Sequence, residues 1–201
     1  MEFLELLKTG RPVLLDGGMG TMLQARGLPV GAVPELTALE HPDWLLDIHG
    51  AYLEAGSQVI YANTFGANRE KLAHCGRTVE EIVPAAVSAA KQAAQKYGAL
   101  VALDVGPTGQ LLEPTGTLEF ETAVDIFAQV VRAGAAAGAD LIVIETMTDL
   151  QEARAALLAA KENCALPVVV TMTYEATGRT FLGCSPAAAA LTLEGMGADA
   201  I

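Results

Sequence analysis

Short runs of apolar residues, each ending in a polar side chain, recur along this chain and alternate with longer amphipathic segments. The clearest run, residues 141–144 (LIVI), leads directly into Glu145. An unbroken apolar run of this length predicts a strand that is buried on both faces. Similar runs end at Asp16, Asn63 and Asp104. We expect a parallel sheet that gathers these polar side chains at the carboxyl ends of its strands.

The same pattern predicts where strands and helices begin and end. Strands are predicted at residues 12–15, 58–62, 100–103, 141–144 and 167–171. Helices are predicted at residues 3–9, 21–26, 42–55, 78–97, 118–137, 148–162 and 187–196, and residues 28–40 are predicted to form a loop. Thr78 with Glu81, and Thr148 with Gln151, have the spacing of a capping box. Ser185 before a proline indicates another helix start.

Strand and helix alternate without a break, which predicts βα units on a parallel sheet. A helix end, a glycine and a strand start follow one another at Gly56, Gly138 and Gly197. The third copy reaches Ile201, so we expect the chain to stop at the start of a sixth strand. The five predicted strands and the start of a sixth favour a (β/α)8 TIM-type barrel, of which this chain would supply about the first five units. The alternative is an open doubly wound sheet, but the glycines of residues 16–21 lack its G-x-G-x-x-G order.

Composition narrows the class of protein. Of the 201 residues, 52% are hydrophobic and 18% are charged, which is typical of a globular domain. The net charge of −12 argues against a nucleic-acid partner, whose phosphates would be repelled. The chain has no apolar run of about 18 residues that could cross a membrane. Its acidic start is unlike a signal peptide, and three cysteines form no evenly paired disulfide framework, so we expect a cytoplasmic protein.

Four motifs follow the predicted strands in a fixed order. They are residues 16–21 (DGGMGT), 63–68 (NTFGAN), 104–109 (DVGPTG) and 145–146 (ET). Residues 178–180 (GRT) and Gly183 follow the fifth strand. Together the motifs resemble the homocysteine S-methyltransferase family over essentially the whole chain, in particular the N-terminal homocysteine-binding domain of cobalamin-dependent methionine synthase. Residues 1–201 would then be the N-terminal part of such a barrel, truncated at the C-terminus.

The resemblance implies a (β/α)8 barrel that transfers a methyl group to the sulfur of homocysteine and so forms methionine. It also implies a zinc ion, held by three cysteines, that binds the sulfur as the nucleophilic thiolate. In the family those cysteines come after strand six and near strand eight, beyond Ile201. None of Cys75, Cys164 and Cys184 matches a ligand position, so we expect no metal-binding and no catalytic residue within this chain, and a fragment that is inactive alone.

The resemblance assigns five substrate-binding residues. Asp16 and Gly17 match the turn that contacts the amino acid portion of homocysteine, and Glu145 matches the carboxylate that holds its α-ammonium group. Asn63 and Asp104 are assigned to the same pocket because they lie at the same end of the sheet. In the alternative interpretation, Asp16 and Asp104 accept backbone N–H groups in their own turns.

The implied partners are L-homocysteine and other domains or proteins that carry cobalamin or folate. The resemblance implies that such a partner supplies the methyl donor, as methylcobalamin or methyltetrahydrofolate, although S-methylmethionine and a betaine-like molecule stay open. A second hypothesis is a lyase or aldolase barrel in which Asp16, Asp104 and Glu145 hold a divalent cation. A third is a non-catalytic barrel module. Its open strand edges would favour self-association.

Overall fold

A parallel four-stranded sheet forms the centre of the structure, a computed structural model that describes residues 2–201. The strands are β1 (Val59–Tyr61), β2 (Leu100–Val105), β3 (Leu141–Met147) and β4 (Val168–Met172). Their order in the sheet follows their order in the chain, and each pairing is parallel. Isolated parallel bridges extend both edges, Leu15 with Val59 and Ala200 with Val169. The predicted α/β class with a parallel sheet is confirmed.

Helices connect the strands and cover the sheet. Within residues 2–201 they are α1 (Phe3–Lys8), α2 (Met19–Ala25), α3 (Thr37–Glu40), α4 (Pro42–Glu54), α5 (Arg69–Ala73), α6 (Val79–Gln95), α7 (Phe120–Ala136), α8 (Leu150–Asn163) and α9 (Pro186–Gly195). A 3-10 helix, Pro34–Leu36, precedes α3. None of the helices in the described residues combines the length and the apolar character needed to cross a membrane.

Two predicted helix starts are confirmed by their hydrogen bonds. The backbone N–H of Thr78 donates to Glu81 Oε2 at 3.0 Å, which completes the capping box of α6. Ser185 Oγ accepts from the backbone N–H of Ala188 at 3.3 Å and caps α9. Each bond satisfies a backbone N–H group at a helix start with a side chain three residues away. Both signals can therefore be recognised from residues that are close in the sequence.

The predicted capping box at Thr148 is wrong. Helix α8 is capped instead by Asp149, whose Oδ1 accepts from the backbone N–H of Gln151 at 2.9 Å. An ionised carboxylate is a stronger acceptor than a hydroxyl, and it also suits the positive end of the helix dipole. The predicted loop at residues 28–40 is also wrong in part, because it contains the 3-10 helix and α3.

The predicted first strand, residues 12–15, is reduced to a single bridge. Backbone bonds join Gln58 N to Leu14 O at 2.8 Å and Asp16 N to Val59 O at 3.1 Å. The segment pairs with the sheet on one side only, and Leu14 remains 52% exposed. This pairing with β1 places Asp16 near the carboxyl end of that strand.

The two faces of the sheet differ in what covers them. Ile60, Leu103, Ile144 and their neighbours pack against the helices in the main core. The alternate residues, among them Ala102 and Val143, belong to a second cluster that includes Phe3 and Leu6 of α1. We call the face covered by α1 the inner face. Because side chains alternate along a strand, Asp104 and Glu145, two residues beyond Ala102 and Val143, continue this inner face.

At the amino end of the sheet, two aspartates tie neighbouring strands together. Each follows a Gly-Ala pair and accepts from a lysine ammonium and from a backbone N–H of the neighbouring strand that precedes it in the chain. The bonds of Asp140 are to Lys91 Nζ (2.9 Å) and Val101 N (2.7 Å), and those of Asp199 are to Lys161 Nζ (2.8 Å) and Val168 N (2.8 Å). The recurring glycine signal in the sequence therefore marks a recurring structural tie.

Candidate functional site

A cleft of about 470 Å³ lies at the carboxyl end of the sheet. Its walls come from the turn after the Leu15 bridge, the 3-10 helix and the ends of β1, β2 and β3. The five residues that the sequence predicts for the site all line this cleft. They are Asp16, Gly17, Asn63, Asp104 and Glu145. The structure thus brings together side chains from four separate segments, as expected for the carboxyl ends of parallel strands.

Asp16 has one oxygen bonded and one oxygen free. Its Oδ2 accepts from the backbone N–H of Tyr61 at 3.0 Å, so the carboxylate extends the pairing with β1 beyond the last backbone bond. Its Oδ1 is buried and has no hydrogen-bond partner among residues 2–201. Burial and, to a smaller extent, the Glu145 charge raise the pKa of Asp16 to about 7, against the opposing effect of its backbone hydrogen bonds.

Asp104 is fixed by its backbone rather than by its carboxyl group. Its N–H donates to Thr64 Oγ1 at 3.1 Å, and the same hydroxyl donates to its carbonyl oxygen at 2.8 Å. The side chain is only 7% exposed, and its Oδ1 has no partner in the described part of the chain. Burial raises the pKa of Asp104 well above its ordinary value, and the charges of Glu145, Asp16 and Glu35 add to this effect.

Glu145 enters the cleft from an irregular part of β3. The register between β3 and β4 shifts between Ile144 and Met147. Thr146 has φ of 60°, in the left-handed region that a β-branched residue rarely adopts, and its N–H donates to Thr171 Oγ1 at 3.1 Å. A bulge of this kind re-aims the side chains beside it. Glu145 is half-buried, and burial raises its pKa.

Gly17 lies in close contact with α4. A Cβ atom there would lie 3.0 Å from the hydroxyl oxygen of Tyr52. That hydroxyl donates to the carbonyl oxygen of Gly18 at 3.2 Å, which holds the glycine turn against the helix. The absence of a side chain keeps the backbone of this turn open to the cleft.

Asn63 has a structural task besides its place in the cleft wall. Its Nδ2 donates to the carbonyl oxygen of Pro34 at 2.8 Å and to Thr37 Oγ1 at 3.0 Å. The side chain therefore fastens the 3-10 helix and the start of α3 to the end of β1. Its predicted contact with substrate stays a prediction.

Sequence reasoning missed Glu35. This side chain lines the cleft, is 5% exposed and accepts from the backbone N–H of Gly66 at 2.6 Å. A Cβ on Gly66 would lie 2.6 Å from Glu35 Oε1. The glycine of the motif at residues 63–68 is the only signal of this contact, because Glu35 itself lies in a proline-containing stretch predicted as a loop.

Aromatic side chains complete the wall. Phe65 and Tyr61 both line the cleft, and neither was predicted. A Cβ on Gly106 would lie 2.5 Å from Phe65 Cε2, so the ring packs directly on the glycine backbone. The glycine in the motif at residues 104–109 thus makes room for a ring from the motif at residues 63–68.

The charge of the cleft is one-sided. Asp16, Glu35, Asp104 and Glu145 all line it, whereas none of the described lining residues is lysine, arginine or histidine. Buried carboxylates are normally paired with cations or bonded to donors. This arrangement favours a ligand that brings its own positive charge and N–H donors.

The described residues fit neither the divalent-cation site of the lyase or aldolase hypothesis nor a zinc site made of the cysteines in this chain. Residues 2–201 contain no group of three or more His, Cys, Asp or Glu side chains placed to hold a metal ion. The cysteine thiols instead donate to nearby backbone carbonyls, and the cleft lining does not include them. These contacts are Cys75 to Leu72 O (3.1 Å), Cys164 to Ala160 O (3.5 Å) and Cys184 to Ser185 O (3.4 Å).

Comparison with known proteins gives the family. The family model described as homocysteine S-methyltransferase matches residues 13–201. The chain belongs to this family. The resemblance inferred from the four motifs is therefore confirmed, and the motifs that carry it are the segments that surround the cleft.

This chain is similar in sequence to two curated relatives and in fold to one solved structure. Methionine synthase from Mycobacterium tuberculosis (strain ATCC 25618 / H37Rv) is 30% identical over 209 residues, which cover 95% of this chain and 17% of the relative. Betaine–homocysteine S-methyltransferase 1 from Sus scrofa is 31% identical over 205 residues, covering 98% of this chain and 72% of the relative. The metallated homocysteine methyltransferase MmuM from Escherichia coli has a TM-score of 0.85 at 23% identity, covering 96% and 74% of the two chains, and shows a similar fold.

Proposed function

We propose that this chain provides the amino-acid-binding part of a homocysteine S-methyltransferase domain. The reaction of that domain is transfer of a methyl group to the sulfur of homocysteine, which forms methionine. Family membership supports the proposal. The observation that carries it is the acidic cleft, where Asp16 and Asp104 each keep a buried oxygen without a partner among residues 2–201.

The proposed roles follow from chemistry and position. Glu145 pairs with the α-ammonium group of homocysteine, because a carboxylate aimed by a bulge into a half-buried cleft can form a charge-assisted hydrogen bond there. Asp16 and the open backbone at Gly17 contact the rest of the amino acid portion. Asp104 completes the pocket, and Asn63 shapes the wall that holds Glu35.

We also propose that the sheet is part of a (β/α)8 barrel. The chain would form about the first five units and begin the sixth strand at the Ala200 bridge. Supporting observations are the strand order, the isolated bridges at both sheet edges and the likeness to MmuM. Active sites of such barrels lie at the carboxyl ends of the strands, where this cleft lies.

The methyl donor that we propose is methylcobalamin, supplied through methyltetrahydrofolate and carried by another domain or protein. The similarity to methionine synthase supports this choice. Betaine–homocysteine S-methyltransferase 1 has a similar identity and supports a betaine donor instead. Zinc, if the domain uses it, would be held outside Cys75, Cys164 and Cys184. Self-association through the sheet edges stays a prediction.

Calorimetric titration with L-homocysteine tests the proposed function. The wild-type chain should bind homocysteine more tightly than its desamino analogue. Glu145→Gln should weaken binding by about 10- to 100-fold, because a hydrogen bond between charged groups contributes about 1.5–3 kcal/mol. Glu162→Gln, an exposed substitution on α8, is the matched control. Equal binding of the two ligands, or a Glu145→Gln variant that binds as tightly as the control, would contradict the proposal.

A further inference from the structure

The cleft contains more acidic groups than an amino acid can neutralise. Two of its four acids accept from a backbone N–H, Glu35 from Gly66 and Asp16 from Tyr61, and Asp104 and Glu145 line the same cleft. An α-amino acid brings one ammonium group, and it also brings a carboxylate of its own. Ionised carboxylates without partners are costly in a buried site, and such groups take up a proton instead.

Asp104 is the acid best placed to hold that proton. Asp16 receives the N–H of Tyr61, which favours its ionised form, and Glu145 is only half-buried. Asp104 is more than nine-tenths buried, lines the cleft and has a buried oxygen with no partner among residues 2–201.

The acidic side chains around Asp104 oppose ionisation of its carboxyl group. They are Glu145 on β3, Asp16 beside β1 and Glu35 on the 3-10 helix, and the phenol of Tyr61 on β1 is neutral at physiological pH. The backbone neighbour Thr64 bonds to the main chain of Asp104 and not to its carboxyl group. Burial and these charges raise the pKa of Asp104, which agrees with the geometric argument.

We propose that Asp104 acts as a neutral carboxylic acid that donates a hydrogen bond to the carboxylate of the bound amino acid, while Glu145 faces its ammonium group. This inference rests on the proposed function and adds a donor to it. A carboxylic acid has one O–H to donate. Because the described lining contains no lysine, arginine or histidine, the ligand carboxylate has to be met by neutral donors. The cleft would then distinguish a zwitterion from a simple amine.

Substitutions of Asp104 separate the neutral form from the ionised one. In Asp104→Asn the side chain keeps an N–H donor and cannot ionise, whereas in Asp104→Ala the donor is lost. Homocysteine affinity of the wild type should fall at alkaline pH more steeply than that of Asp104→Asn. Titration of the ligand's own thiol and ammonium groups affects both proteins equally, so only the difference between them reports on Asp104.

The experiment is calorimetric titration of the 201-residue chain with L-homocysteine and with its decarboxylated analogue, from acidic to alkaline pH. At neutral pH, Asp104→Asn should weaken homocysteine binding less than fivefold, and Asp104→Ala should weaken it more than tenfold while affecting the analogue little. Asp125→Asn, an exposed position on α7, is the matched control. If Asp104→Asn weakens binding as strongly as Glu145→Gln, Asp104 acts as an ionised carboxylate and this inference fails, whereas the proposed function stands.

A measurement without ligand keeps the two proposals distinguishable. The infrared difference spectrum between wild type and Asp104→Asn should contain the carbonyl band of a protonated carboxyl group at neutral pH. A missing band overturns the neutral state of Asp104 whether or not homocysteine binds. Failure of the wild type to bind homocysteine would overturn the proposed function, and with it the role of Asp104 in recognition.

Discussion

Aspartate side chains lie at both ends of the sheet, but their hydrogen bonding differs between the two ends. At the amino end, Asp140 and Asp199 each accept from a lysine and from a backbone N–H of the neighbouring strand. At the carboxyl end, Asp16 and Asp104 each keep a buried oxygen without a partner in the described chain. The first arrangement stabilises the fold, whereas the second reduces the stability of the protein as long as no ligand is bound.

This contrast separates stability from recognition within a single sheet. A carboxylate oxygen that has no partner in the folded protein, such as Oδ1 of Asp16 or Asp104, is left to interact with a ligand. Buried acids without partners destabilise a protein, whether they stay ionised or take up a proton, so their presence at one end and not at the other indicates a role other than stability. Binding sites that reduce stability in this way are common.

The largest expected effect comes from Glu35, the cleft carboxylate that is held by the backbone of Gly66. Gly66→Ala would place a Cβ atom 2.6 Å from Glu35 Oε1 and break its bond to the Gly66 N–H. We expect a loss of about 3 kcal/mol in the free energy of unfolding, because a buried charge loses its donor and the site is overpacked. Denaturant unfolding measures this loss.

Gly50→Ala is the control for that experiment. Gly50 lies inside α4, and an added Cβ would have no heavy atom within 4 Å. This substitution should stabilise the protein slightly, by up to about 1 kcal/mol, because alanine favours helix. If Gly66→Ala costs no more than the control, the carboxyl end of the sheet is less tightly packed than described.

A smaller effect should appear in the pH dependence of stability. The pKa of Asp16 is raised to about 7 in the folded protein from 3.8. Between these values the folded state binds more protons than the unfolded state, so the free energy of unfolding falls as pH rises through this window. Each unit of difference corresponds to 1.36 kcal/mol, and we expect a loss of about 2 kcal/mol between pH 4 and pH 8 after allowing for the exposed part of the group.

Asp16→Asn should remove that part of the pH dependence. The variant keeps an acceptor for the Tyr61 N–H but cannot ionise. Asp125→Asn, which changes an exposed acid, should leave the slope as in the wild type. Identical slopes in wild type and Asp16→Asn would show that Asp16 titrates as an ordinary surface acid.

The fold was predictable where a signal is local. The capping box of α6 and the cap of α9 involve residues three positions apart, and both were predicted. The predicted first strand is reduced to a single bridge, because the segment pairs only with β1 and has no strand on its other side among the described residues. Asp149 displaced Thr148 as the cap of α8, a choice between adjacent polar residues that spacing alone does not decide.

The site was predictable in its position and incomplete in its details. The five predicted residues line the cleft because parallel strands bring their carboxyl ends together. Glu35 was missed because it reaches the cleft through a bond to Gly66, 31 residues later in the chain. The bulge that aims Glu145 depends on the pairing of β3 with β4, and no residue type in the sequence signals it.

One comparison of matched substitutions tests the contrast between the two ends most directly. The measurement is the free energy of unfolding of Asp104→Asn and Asp140→Asn at pH 7. We expect Asp104→Asn to be about 1 kcal/mol more stable than the wild type, because an uncompensated buried acid is removed. Asp140→Asn should be about 1 kcal/mol less stable, because its charge-assisted bonds to Lys91 and the Val101 N–H weaken. Changes of the same sign at both positions would contradict the account.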